Sequence, residues 1–212
     1  MTDQSSSPVD ELAVRFWEEI LEQNPTTATF YGDSRYADQL EDPSPVGRVR
    51  QRDLMERTRR EAEAIPVDGL STEERITRDM LIVVAELQIE QDDEGLHQLA
   101  VVDQMGGPQQ LLPQLTAFQP VDTPERLEAF IERLRAYPAF MQANSDILDE
   151  GIRSGLTAPS IVTERTSQPA RGRRPNHLGA SAIARAMSSA ARSTSSALVP
   201  GMLPGRSSSE AR

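Results

Sequence analysis

Apolar residues recur every three or four positions through most of the first 165 residues, the period of helices with one buried face. Leu12, Phe16 and Ile20, with Leu21 alongside, predict a helix from Ser7-Pro8 to about Gln23. Asn24-Pro25 starts a short second helix, TTATFY, which Gly32 ends. A polar connector, GDSRYADQLEDPSP, leads to Ser44-Pro45 and a highly charged helix reaching about Ala64. Its apolar stripe is narrow: Val46, Val49, Leu54 and Met55. Arg52/Glu56, Asp53/Arg57, Glu56/Arg60, Arg57/Glu61 and Arg59/Glu63 are spaced for ion pairs along it.

Pro66-Val-Asp-Gly69 is a turn, and Ser71-Thr-Glu-Glu74 is a capping box. The helix that follows is the most apolar, with Ile76, Met80, Leu81, Val83, Val84 and Leu87, and is expected at the centre of the core. It runs into Asp92-Asp93-Glu94. Acids there oppose the helix dipole, so either the helix stops earlier or a basic neighbour faces them. Residues 95–108 read as a connector and QQLLPQL as a short helix. Thr123-Pro124-Glu125 starts a helix carrying Leu127, Phe130, Ile131 and Leu134. Pro138 is expected to start another, with Phe140, Met141, Ile147, Leu148 and Ile152 inward, stopped by Gly155. Pro159 opens one more, SIVTER, that loses its pattern after Arg165. No segment alternates convincingly with the two-residue period of a strand. The expectation is an all-α bundle of about seven helices.

Composition divides the chain. Residues 1–165 carry 32 Asp and Glu against 15 Arg. Residues 166–212 carry one acid, Glu210, and seven Arg, with ten Ser, nine Ala and no Phe, Tyr or Trp. Three segments follow: a flexible 1–9, a helical 10–165 and a low-complexity basic tail, 166–212. The acidic body argues against nucleic acid as its partner. Every one of the 22 basic residues is Arg, which fits a GC-rich gene. Cysteine is absent, which removes disulfides, thiol nucleophiles and Cys-based metal sites. Neither a signal-peptide pattern nor an apolar run long enough to span a membrane is visible, and the chain reads as cytoplasmic.

Candidate chemistry is sparse. His97 and His177 are in no metal-ligand spacing, and His97 reads as a surface or capping histidine. Asp92-Asp93-Glu94 reads as a solvated helix end rather than a cation loop, because its acids are consecutive. No nucleophile elbow, phosphate loop or dinucleotide fingerprint is present. Two connectors mix residue types as binding loops do: Gly32 to Asp38, with Asp33, Arg35, Tyr36 and Asp38, and Gln104 to Gln110, with Gln104, Gly106, Gly107 and Gln109.

Taken in order, "FWEEILEQNPTTATFYGDSRYADQLEDPSP", "LSTEERITRDML", "VVDQMGGPQQLLPQL" and "TPERLEAFIERLRAYPAFMQANSDILDEGIRSGLTAPSIVTER" resemble the start of the bacterial domain-of-unknown-function family 885, from about Asp10 to Arg165. The resemblance implies a longer, largely helical protein like a gluzincin-type zinc metallopeptidase, acting on a peptide-like substrate. Its H-E-x-x-P-G-H zinc motif would lie beyond the matched region. No such segment occurs in these 212 residues, so no metal ligand is assigned to any of them and no cofactor is expected in this chain. Such an N-terminal part would form one wall of a substrate cleft, with the two connectors facing it. The leading expectation is a truncated piece, catalytically inactive alone, whose tail is read out of frame after a shift near codon 166. The alternative is a self-sufficient helical interaction module with a genuine basic binding tail. An independent hydrolase has little support.

Overall fold

The fold is a computed structural model that describes residues 7–101, 103 and 106–167, with the side chains of 165–167 excepted. The described residues form helices and no strand. The helices are α1 (Pro8–Gln23), α2 (Pro25–Phe30), α3 (Pro45–Ala64), α4 (Thr72–Asp93), α5 (His97–Ala100), α6 (Pro108–Phe118), α7 (Pro124–Ser154) and α8 (Ser160–Ser167). The expected basic tail lies outside the described residues, apart from the end of α8.

The caps fall where the sequence puts them. Ser7, Ser44 and Thr123 accept backbone N–H groups of Asp10, Gly47 and Arg126, each with proline next in the chain. At α4 the capping box closes both ways: Glu74 N–H donates to Ser71 Oγ at 3.2 Å and Ser71 N–H to Glu74 Oε2 at 2.7 Å. Gly155 ends α7 in the left-handed conformation, φ +79°.

Helices α1, α3 and α4 pack on one another around two small clusters. Leu12, Ala62 and Leu81 form the first, with Phe16 and Ile82 against it. Leu54, Met55 and Ala85 form the second, with Phe16, Ile20 and Ile89. Charges staple the same three helices. Arg57 pairs with Glu19, Arg15 with Glu61, and Arg52 with Asp92 and Asp93 at 3.0 and 2.7 Å. Of the expected pairs along α3, Arg52–Glu56 and Arg59–Glu63 form. Arg57 turns instead to α1. The acidic end of α4 thus resolves as a full-length helix faced by a basic neighbour, Arg52.

Three expectations are corrected. First, α7 does not break at Pro138; it runs through it for 31 residues. Pro138 removes one backbone hydrogen bond. Buried Phe130 and Arg133 before it, and Asn144 and Ile147 after it, hold both halves helical. Second, the connector after α4 contains the one-turn helix α5, whose Gln98 is buried and accepts from Ser154 Oγ of α7 at 2.6 Å. Third, α4 is not the centre of the core. Only Leu81 and Ala85 are buried on it, while Ile76, Met80, Val83, Val84 and Leu87 are exposed. The helix has two apolar faces, and α1 and α3 cover one. Val46 and Val49 of α3 are likewise exposed, while Leu54 and Met55 of the expected stripe are buried, together with Thr58 and Ala62. No helix among the described residues is long and apolar enough to cross a membrane.

Candidate functional site

A cavity of about 980 Å³ opens where the end of α4, the start of α3, α5, the start of α6 and the middle of α7 meet. Its walls are mixed. Arg48 and Gln51 come from α3, Gln91 and Asp92 from α4, His97 from α5, Leu111 from α6, and Phe140, Asn144 and Ile147 from α7.

Arg48, Asp92 and His97 on its wall are tied to charges behind it, Glu150 and Arg52. Glu150 lies 3.4 Å from Arg48 Nη2, and Asp92 lies 3.9 Å from His97 Nδ1 and 3.0 Å from Arg52 Nη1. Arg48 Nη1 and both ring nitrogens of His97 are buried without a hydrogen-bond partner. The expectation of a surface or capping histidine therefore does not hold: the His97 ring packs inward from the first residue of α5. Burial, aided by the nearby Arg48 charge, pushes its pKa below the ordinary 6.5, against the opposing pull of Asp92 and Glu150. The unfolded chain then binds the His97 proton more readily, so this part of the stability is present above pH 6.5 and lost as pH falls below it. Lowering the pH from 7 to 5.5 is expected to depress Tm more in the wild type than in His97→Gln. Equal slopes of Tm against pH would remove His97 from the account.

The sequence-predicted connectors are placed as follows. Asp33 accepts Arg35 N–H at 2.9 Å and the Arg35 guanidinium at 2.6 Å, and Arg35 also reaches Glu18 at 2.6 Å. These contacts hold the Asp33 carboxyl below the usual range. The Arg35 guanidinium lies 5.4 Å from the centre of the Tyr36 ring. Asp33, Arg35, Tyr36 and Asp38 are not among the lining residues of the cavity, whereas Gly106 and Gly107 are. Gln109 folds back to donate to the Asp103 carbonyl at 2.5 Å. Gln104 lies outside the described residues.

Two residues not singled out from the sequence fix the first connector. Arg133, with no exposed surface, donates to the carbonyl of Tyr36 at 2.6 Å, and Gln119 donates to that of Ala37 at 2.8 Å. A signal existed for Arg133. Phe130, Tyr137, Asn144 and Gly151 recur every seven residues, as do Arg133, Phe140 and Ile147, so Arg133 occupies an inward position of a heptad.

A family model described as "Bacterial protein of unknown function (DUF885)" matches residues 25–199. The chain belongs to the DUF885 family. No curated protein matches it. The DUF885 match takes in every described helix from α2 to α8 and continues beyond Arg165, where the resemblance read from the sequence stops.

Zinc is the metal that the resemblance implies for DUF885 relatives. Among the described residues no three His, Asp or Glu side chains are grouped to hold a metal ion. His97 and Asp92 approach each other, but Arg48 lies close to His97 and Arg52 bonds Asp92, and two guanidinium groups oppose a third positive charge. The described residues do not fit a zinc site.

Proposed function

We propose that this chain is the helical, substrate-cleft part of a longer, cytoplasmic, zinc metallopeptidase-like DUF885 protein and does not catalyse a reaction alone. One observation carries the reading. Helix α4 buries Leu81 and Ala85 on one side and exposes Ile76, Met80, Val83, Val84 and Leu87 on the other. Apolar residues on both sides are the pattern of an interior helix, and an exposed run of this kind marks a surface that something else covers. The cavity around Arg48 and His97 would form one wall of the cleft for a peptide-like substrate, with its facing wall and any metal supplied by further chain. No chemical step is assigned to the residues present.

Sequencing the gene through codon 166 and beyond, with translation in all three frames, tests the proposal. A frame that continues the chain and reaches an H-E-x-x-P-G-H segment supports it. Absence of such a frame overturns it and favours the self-sufficient interaction module. The purified chain supplies a second check. An exposed apolar face predicts binding of the dye ANS and a broad thermal transition. A sharp cooperative transition with a clean monomer would favour the module, and peptidase activity abolished by EDTA would reinstate an independent hydrolase.

A further inference from the structure

Helices α1 and α3 run antiparallel and are laced by ion pairs at four-residue steps, Arg15 with Glu61 and then Glu19 with Arg57. The same register carries the next rung to Gln23 and Asp53, where no cation stands. Asp53 has no ion pair among the described residues. Arg50 and Arg57, the arginines one turn away on its own helix, are held by Asp42 and Glu19. Glu22, beside Gln23, has no ion pair either among the described residues. Glu22, Gln23 and Asp53 all line the cavity. Six carboxylates line it in all, against three guanidinium groups, and each of those three already has a carboxylate partner. Gln51 of α3 and Gln88 and Gln91 of α4 line it too, and their side chains form no hydrogen bond among the described residues.

We infer that this cavity takes a positively charged peptide, with its cation at Glu22 and Asp53 and its backbone on Gln51, Gln88 and Gln91. The inference rests on the function proposed above in one respect, that the cavity is the substrate cleft. A guanidinium or ammonium group would complete the third rung, as Arg15 and Arg57 complete the first two. A metal ion is the poorer fit, since among the described residues no three carboxylate or imidazole groups are placed to hold one. A side-chain amide offers a donor and an acceptor side by side, as the peptide group does, and three of them without partners suit an extended backbone. An acidic peptide would add negative charge to a wall already in carboxylate excess, so charge sets the preference.

Calorimetric titration of the full chain with short unlabelled peptides tests the inference. One peptide is acetylated and amidated and carries an arginine. A second has citrulline, the uncharged isostere, in its place, and a third is the citrulline peptide with a free N-terminus. At least one of the two charged peptides is expected to bind about tenfold tighter than the capped citrulline peptide, which identifies the cation as side chain or terminal ammonium. Glu22→Gln with Asp53→Asn should cut that preference to about twofold or less. Glu86→Gln with Glu90→Gln, an equal change of charge outside the cavity, should leave it intact. All four positions are exposed, so circular dichroism of both double variants should match the wild type. No saturable binding, equal binding of the three peptides, equal losses in the two double variants, or agmatine bound as tightly as the arginine peptide overturns the inference. So does a gain of about tenfold in peptide affinity on joint Arg171→Gln, Arg173→Gln and Arg174→Gln, since the chain's own arginines would then be the occupant. A missing downstream reading frame would sink the longer-protein reading and leave the peptide preference standing. Loss of the preference with that frame present would do the reverse, so the two failures are separable.

Discussion

Arg133→Leu is expected to lower the unfolding free energy by about 3 kcal/mol, because the Gln119 side-chain carbonyl loses its donor and the carbonyls of Tyr36 and Pro25, which keep Gln39 N–H and Thr29 Oγ1, each lose a second one, at ~1–3 kcal/mol for a buried acceptor left unpaired. Arg133 is fully buried on α7. Its Nη1 donates to Gln119 Oε1 at 2.8 Å, and its Nη2 to Tyr36 O at 2.6 Å, Thr29 Oγ1 at 2.9 Å and Pro25 O at 3.2 Å. No carboxylate bonds it directly. Burial pushes its pKa down to about 10, partly offset by the charges of Glu41 and Asp38, and it stays charged at neutral pH. Replacing a buried ion pair with apolar side chains can be neutral, because both partners leave together. Here the acceptors remain, and a leucine offers them nothing. Arg133→Lys keeps the charge but not the planar fork that spans three elements, so it should recover only part of the loss. Urea unfolding gives the stability, and hydrogen exchange should quicken at residues 33–39 in both variants. A loss under about 1 kcal/mol for Arg133→Leu would show that water replaces the guanidinium.

Gly47→Ala should cost about 2–3 kcal/mol, although alanine is favoured over glycine inside a helix by about 1 kcal/mol. Gly47 sits buried in the first turn of α3, under the loop that precedes it. A Cβ there would lie 2.8 Å from the carbonyl carbon of Asp42 and nearer still to its oxygen. Asp42 cannot easily yield. Its carboxylate accepts Ser44 N–H at 3.0 Å and Arg50 Nη2 at 2.5 Å, which ties the loop to the same helix. The clash is with backbone, and relief requires moving the segment that leads into Arg48 and the cavity wall. Gly69→Ala is the control. Gly69 has φ +90° with open space around it, so alanine there carries only backbone strain of about 1 kcal/mol. Thermal and urea unfolding of the two variants should rank Gly47→Ala as the more damaging. An alanine at 47 that stabilises the chain would mean the loop is free to lift.

Local chemistry was legible wherever a few neighbouring residues settle the matter. Ser7-Pro8, Ser44-Pro45, Thr123-Pro124 and the Ser71/Glu74 box start helices because each supplies an acceptor to N–H groups that have no helical partner. Gly155 stops α7 because the left-handed conformation costs glycine little. Family membership was legible too, through the order of four motifs that are individually weak. The cavity was only partly so. Gly106 and Gly107 line it as a glycine-rich connector suggests, while the turn from Asp33 to Asp38 closes on its own Asp33–Arg35 contacts and on Arg133.

The sequence by itself determined that the chain is helical, where most helices begin and end, and to which family it belongs. Those properties depend on hydrogen bonds and periodicities that span a few residues. Only the tertiary structure decided that Pro138 lies inside a helix, that His97 turns inward, that Arg133 is the buried donor pinning the Tyr36 loop, and that α4 keeps an apolar face in solvent. Each of these turns on which surfaces meet. Periodicity shows that a face is apolar, but whether it is buried depends on residues distant in the chain, and the free energy of leaving water is gained only where another surface arrives.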